Sequence, residues 1–203
     1  MQLSRSFFNR DAARVAQDLL GKVIRRCYRG HWLAARIIET EAYYLHEKGS
    51  HASLGYTEKR RAMFMRPGTI YMYYARGRDS LNVSCRGKGN AVLIKSAYAI
   101  EDNLTDARSI QIMQQLNPAA SGGPRPVEKL CSGQTLLCRA LDIRVGDWDQ
   151  RDFDGQQFYF DDVGYRPRDS KQARRLGIPV GRDEHLPLRF IDAAHIRHCT
   201  RKP

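Results

Sequence analysis

Between positions 39 and 82 stand the side chains that carry most of the chemistry this sequence offers: Glu39, Glu41, Tyr43, His51, Tyr71, Tyr73 and Asn82. A carboxylate can take a proton from water, and aromatic rings can sandwich a planar heterocycle. Taken singly, each tyrosine is more often core than binding platform, because β-prone segments bury their rings. The set gains weight from its setting in a basic chain, where 34 Lys and Arg against 22 Asp and Glu leave a formal charge of +12. Such a surplus attracts polyanions.

Spacing sets other chemistries aside. His46-Glu47 is followed by Ser50 where a zinc-protease helix needs its second histidine, and His51 comes one place late. The segment His195-Ile196-Arg197-His198-Cys199 offers three soft ligands and lacks a fourth. No dinucleotide fingerprint, phosphate-cradling loop or serine elbow occurs, so neither a metal nor a nucleotide cofactor is expected. Cys27, Cys85, Cys131, Cys138 and Cys199 are odd in number and contain no Cys-x-x-Cys pair, which reads as reduced thiols.

The elements that must hold these residues follow from periodicity and turn signals. Ala12, Val15, Ala16, Leu19 and Leu20 have helical spacing, with Asp11 as cap and Gly21 as stop. Lys22–Tyr28 and Trp32–Tyr43 form a predicted hairpin about Arg29-Gly30-His31. Along its second strand parity groups Leu33 and Ile37 with Glu39 and Glu41, and Ala34 and Ile38 with Thr40, so apolar residues fall on both sides. A strand covered on both faces, with Glu41 where it leaves the core, is the expectation. Tyr44–Met65 reads as a long surface connection. Thr69–Ala75 and Ser80–Cys85 make a Tyr-rich hairpin with arginines at its tip, and Ala91–Lys95 is a further strand. Thr105-Asp106 caps a helix bearing Ile110, Met113 and Leu116. Val127–Leu141 is helical with a break at Ser132-Gly133, and Phe158–Phe160 and Leu188–Ile191 are short strands.

At 203 residues and 23.3 kDa, with a mean hydropathy of -0.57, the chain suits one domain over 1–203. No apolar run approaches the roughly 18 residues of a spanning helix. Met1–Phe8 runs straight into Asn9, Arg10 and Asp11 without a secretory core. A cytoplasmic protein away from membranes is expected. Basic residues cluster at Arg25-Arg26, Lys59-Arg60-Arg61, Arg76 and Arg78, Arg174-Arg175, and Arg197 with Arg201-Lys202, so folding must gather them to make one patch.

Three stretches carry a family resemblance: Arg36-Ile37-Ile38-Glu39-Thr40-Glu41-Ala42-Tyr43, Met63-Phe64-Met65-Arg66-Pro67-Gly68-Thr69-Ile70-Tyr71-Met72-Tyr73, and Leu81-Asn82-Val83-Ser84. With Leu130-Cys131-Ser132-Gly133, Leu137-Cys138 and milder likeness through Gln150-Arg151-Asp152 and Leu186–Phe190, the chain resembles the alkyladenine (3-methyladenine) DNA glycosylases over nearly its whole length. The resemblance implies an α+β fold: a single mixed domain around a curved antiparallel sheet, with peripheral helices and a protruding β-hairpin that enters the minor groove. It implies a monomeric enzyme, nucleoid-associated if the source is bacterial, that acts on duplex DNA containing damaged purines. There it would hydrolyse the N-glycosidic bond after base flipping.

By matched motif, Glu41 is the general base, and Tyr43, His51 and Tyr73 form the base pocket. Asn82 crowds the amine of normal guanine, and Tyr71, Tyr74, Arg76 and Arg78 meet DNA. Lys95 stands where a mammalian member has an arginine near the attacking water. It supplies charge without the two-pronged fork. The hairpin is one residue shorter than in that member, leaving Tyr74, Arg76 and Arg78 as alternatives for the wedge that fills the gap of the flipped base. A noncatalytic damage-binding protein on the same fold, and a strand-cleaving enzyme using the Lys95 amine as nucleophile, are the other readings.

Overall fold

The computed structural model describes residues 1–200, so Arg201-Lys202 lies outside the described residues. Helices α1 (Arg5–Phe8) and α2 (Ala12–Leu19) precede the hairpin of β1 (Val23–Tyr28) and β2 (His31–Tyr43). Short 3-10 turns at His51–Leu54 and Glu58–Phe64 lead to β3 (Ile70–Ala75), β4 (Arg78–Ser84) and β5 (Ala91–Ala99). Then come α3 (Ala107–Leu116), α4 (Gln134–Ala140), α5 (Val145–Trp148), β6 (Phe158–Asp161), β7 (Ser170–Ala173) and β8 (Arg189–Asp192). The eight strands form one curled antiparallel sheet in an α+β fold.

Local chemistry explains the elements. Asp11 accepts the amides of Ala13 and Arg14 and so caps α2, whose buried Ala12, Val15, Ala16 and Leu19 face the core. Asp106 caps α3 through the Ser109 amide. The β1–β2 turn is only Arg29-Gly30, both at positive φ, a two-residue geometry whose twist suits antiparallel strands. His31 therefore belongs to the strand rather than the turn. The same pattern recurs at Arg76-Gly77 between β3 and β4, which shortens the expected arginine turn and begins β4 at Arg78.

The strands run β3-β4-β5-β2-β1-β6, and β8 lies against the later half of β2 with β7 outside it. Strand β2 is thus the spine: β5 runs along one edge, β1 and then β8 along the other. The register slips at Ile38, which falls between the pairs Ile37↔Ala97 and Glu39↔Ser96. It slips again on β5, where Lys95 falls between Ser96 and Ile94.

These irregularities correct the parity reading. Leu33, Ala35 and Ile37 pack into the main core before the slip, and Ala42 packs there after it. Thr40 points the same way, donating to the Ala16 carbonyl of α2 at 2.8 Å. Ile38 instead joins Ile191 and Cys199 in a separate cluster. One inserted residue has exchanged odd for even, as a bulge must.

The expected surface connection over Tyr44–Met65 is also more ordered than foreseen. Its two 3-10 turns bury Ala52, Ala62 and Met63 against Tyr71 and Ala91. Helices α1 and α5 and strand β7 carry no clear signal in the sequence, because the first two span a single turn each and the last is edge-like and polar.

Candidate active site

The register lays the chemistry across the sheet in one row. Tyr71 pairs with Asn82, Asn82 with Leu93, Leu93 with Glu41 and Glu41 with Arg189. Directly paired residues share a face, roughly 4.8 Å apart from strand to strand. Above this row opens a cavity of about 910 Å³. Tyr43, His51, Tyr71 and Tyr73 line it together with Asn82 and Lys95.

Glu41 is fully buried, behind the residues that line this space, a correction to its expected place where the strand leaves the core. Three donors converge on it. The Tyr43 hydroxyl donates to Oε2 at 2.7 Å, the Leu176 amide to Oε1 at 2.9 Å, and Lys95 Nζ stands 3.5 Å from Oε1. Each of these three partners lines the cavity. Glu39, two residues earlier, is equally buried and differently used: Arg189 Nε meets its Oε1 at 2.6 Å, while Ser96 Oγ and the Thr200 amide donate to Oε2. Its acceptors are consumed by structure. Glu41 lies directly behind three residues that line the cavity.

The aromatic wall is mutually braced. His51 and Tyr73 meet edge to face with ring centres 4.3 Å apart, and Tyr71 stacks on Tyr73 at 5.6 Å. His51 Nδ1 lies 3.1 Å from the Tyr71 hydroxyl. Burial raises the phenols of Tyr43, Tyr71 and Tyr73, and the Glu41 carboxylate pushes Tyr43 further up. Burial, aided by Arg60, lowers His51 from its ordinary value. The wall is therefore uncharged near neutral pH, which keeps its π faces available to a flat ring. Asn82 is buried, its amide nitrogen donating to the Tyr71 carbonyl at 3.2 Å.

The four residues expected at DNA divide. Tyr74, Arg76 and Arg78 are exposed around the hairpin tip and border the cavity mouth. This end of the hairpin projects past β5, which pairs with β4 only from Asn82 to Ser84. Tyr71 is buried and stands in the pocket wall rather than at the exposed tip. The basic clusters divide likewise. Arg25 is buried between Asp102 and Asp161, and Arg175 is buried against Glu47, so neither belongs to a basic surface. Lys59 and Arg61 are exposed.

Sequence reasoning missed the opposite wall, made by Gly133–Leu136 at the start of α4 and by the loop Leu176–Arg182. No spacing rule joins position 41 to position 176. The available signals were Gly177 and Gly181, both at positive φ, in a stretch that reads only as an Arg-rich loop.

With this geometry in hand, likeness to known proteins becomes informative. The model of the methylpurine-DNA glycosylases matches residues 6–196. A Pseudomonas aeruginosa protein (strain UCBPP-PA14), provisionally named a 3-methyladenine DNA glycosylase, is 61% identical over 201 residues, covering 99% of this chain and 84% of its own. A Pseudomonas fluorescens relative (strain Pf0-1) with the same provisional name is 59% identical, with coverage of 99% and 87%. The mouse DNA-3-methyladenine glycosylase is 36% identical over 200 residues, covering 93% of this chain and 58% of its own. The chain belongs to the methylpurine-DNA glycosylase family.

Proposed function

We propose that this protein is a monofunctional DNA glycosylase that hydrolyses the N-glycosidic bond of alkylated purines in duplex DNA. The observation that carries this reading is Glu41: a buried carboxylate held by Tyr43, Leu176 and Lys95, all three of which line an aromatic cavity. A duplex hides the glycosidic bond from any such group, so the nucleotide must rotate out of the stack, which costs least for damaged or mispaired bases. The exposed hairpin would enter the minor groove, and Tyr74, the aromatic residue near its tip, would fill the vacated space.

In the cavity the everted purine stacks among Tyr43, His51 and Tyr73, with Asn82 crowding the amine that normal guanine carries. Water beside Glu41 gives its proton to the carboxylate while its oxygen bonds to C1′. The C1′–N bond breaks and its electron pair leaves with the base. Nζ of Lys95 adds positive charge beside the carboxylate and holds it in place. A purine made cationic by alkylation leaves without further acid assistance, and the product is an abasic site in an uncut strand.

The test is mass-spectrometric identification of bases released from methylated and from deaminated DNA by the wild type and by Glu41→Gln. Alkylated purines should appear with the wild type. The variant should lose about 10²–10⁴-fold in rate while retaining affinity for a lesion duplex. Unchanged excision by Glu41→Gln would refute the assignment of the base. A borohydride-trapped protein–DNA adduct would instead make the Lys95 amine the nucleophile.

A further inference from the structure

Tyr43 has two faces, and only one is free for a base. Behind the ring sits Arg175, its guanidinium carbon 4.6 Å from the ring centre. Nη1 of this arginine donates to the Ala42 carbonyl at 2.9 Å and pairs with Glu47 Oε2 at 2.5 Å. Its Nε and Nη2 are buried without a hydrogen-bond partner. An arginine held this way spends its remaining polarity on the π cloud beside it. The same cloud would greet a base in the cavity, and a ring already drawn toward a cation on one side attracts a second cation less on the other. The two positive charges would also repel across the ring, in surroundings that screen poorly. Burial and Glu41 raise the Tyr43 phenol, and the charge of Arg175 acts in the opposite direction, pulling its pKa down.

We propose that Arg175 is a specificity-determining residue: by occupying the rear face of Tyr43 it removes most of the cation–π advantage of positively charged bases and so lets neutral lesions compete. This rests on the base pocket proposed above. It adds that the stacking surface is tuned toward shape and away from charge.

The experiment measures equilibrium affinity for matched duplexes carrying cationic 7-methylguanine or neutral hypoxanthine, for the wild type and for the charge-neutral pair Glu47→Gln with Arg175→Met. The paired change avoids leaving a lone buried charge. The ratio of affinities, cation over neutral, should rise about threefold to tenfold in the double variant, and Arg175→Lys should stay near the wild-type ratio. An unchanged or lower ratio in a double variant that melts cooperatively overturns the proposal.

Tyr43→Leu, made in the otherwise native chain, gives an independent reading. With Arg175 cancelling the charge term, loss of the ring should weaken both duplexes within about twofold of each other. A loss falling about fivefold more heavily on the cation overturns the proposal as well. Base release, recorded in parallel, distinguishes the two claims: a wild type that frees no base refutes the glycosylase reading, while the affinity ratio still decides the role of Arg175.

Discussion

Glu39 and Glu41 differ in what surrounds them more than in burial. Glu39 is neutralised by the buried Arg189 and saturated by Ser96 and Thr200. Removing one partner of such a pair strands the other charge, so Arg189→Met should lower unfolding free energy by about 3–5 kcal/mol, read by urea denaturation. Glu41→Gln keeps an acceptor for the Leu176 amide and can turn its NH2 to the Tyr43 hydroxyl, which then accepts, so its melting should stay within a few degrees of the wild type. His51 supplies a pH dependence. Its folded-state pKa is lowered, chiefly by burial, so the unfolded chain takes up this proton first as pH falls. The stability His51 contributes is whole above about pH 6.5 and is lost as pH drops through the lowered value. Between pH 7.5 and pH 5 the wild type should therefore lose more Tm than His51→Gln, and equal losses would contradict the assignment.

Positioning is the work of elements, and turns and bulges do it here. Gly77 and Gly89 both adopt positive φ, at 75° and 79°, but their surroundings differ. A Cβ on Gly77 would meet nothing within 4 Å, whereas one on Gly89 would lie 2.9 Å from Leu45 Cδ1 and 3.0 Å from the Ala52 Cβ. Gly77→Ala should cost only the backbone term of a left-handed residue, about 1–2 kcal/mol. Gly89→Ala should cost more and should also slow base release, because it pushes on the turn that carries His51. Denaturant melts and single-turnover assays on both variants check this.

Much of this level was readable beforehand. Asp11, Asp106 and the Gly-containing turns announce themselves by residue type, and the Tyr-rich hairpin by its β-branched and aromatic run. The bulge at Ile38 was not readable, since Ile38 is as β-prone as its neighbours and nothing in a run of Ile-Ile-Glu marks which residue loses its partner. The facing of Glu41 depended on that slip. The contacts of Glu41 with Leu176 and of Glu47 with Arg175 were beyond reach for another reason: they join residues separated by 135 and 128 positions, and tertiary packing alone decides them.

For the molecule as a whole, the +12 charge is not a uniform coat, because Arg25, Arg175 and Arg189 are buried in ion pairs. Among the cations that stay exposed, Arg76 and Arg78 flank the cavity mouth. Affinity for duplex DNA should fall steeply with salt, and the Arg76→Ala, Arg78→Ala double variant should flatten the slope of log affinity against log salt by about 2. Arg174→Ala, in the cluster whose other member is buried, should leave the slope nearly unchanged. A fluorescence titration across salt concentrations distinguishes these outcomes.

The meeting of Glu41 with the Leu176 amide has a consequence for synthesis. A ribosome adding roughly 5–20 residues per second needs about 7–27 s to travel the 135 positions between them. For most of that interval, once Tyr73 has been added, the tyrosines, the histidine and the carboxylate have been translated while the loop that finishes their chamber has not. The chamber around Glu41 can therefore close only after Leu176 has been made, and β8 can pair with β2 only after that.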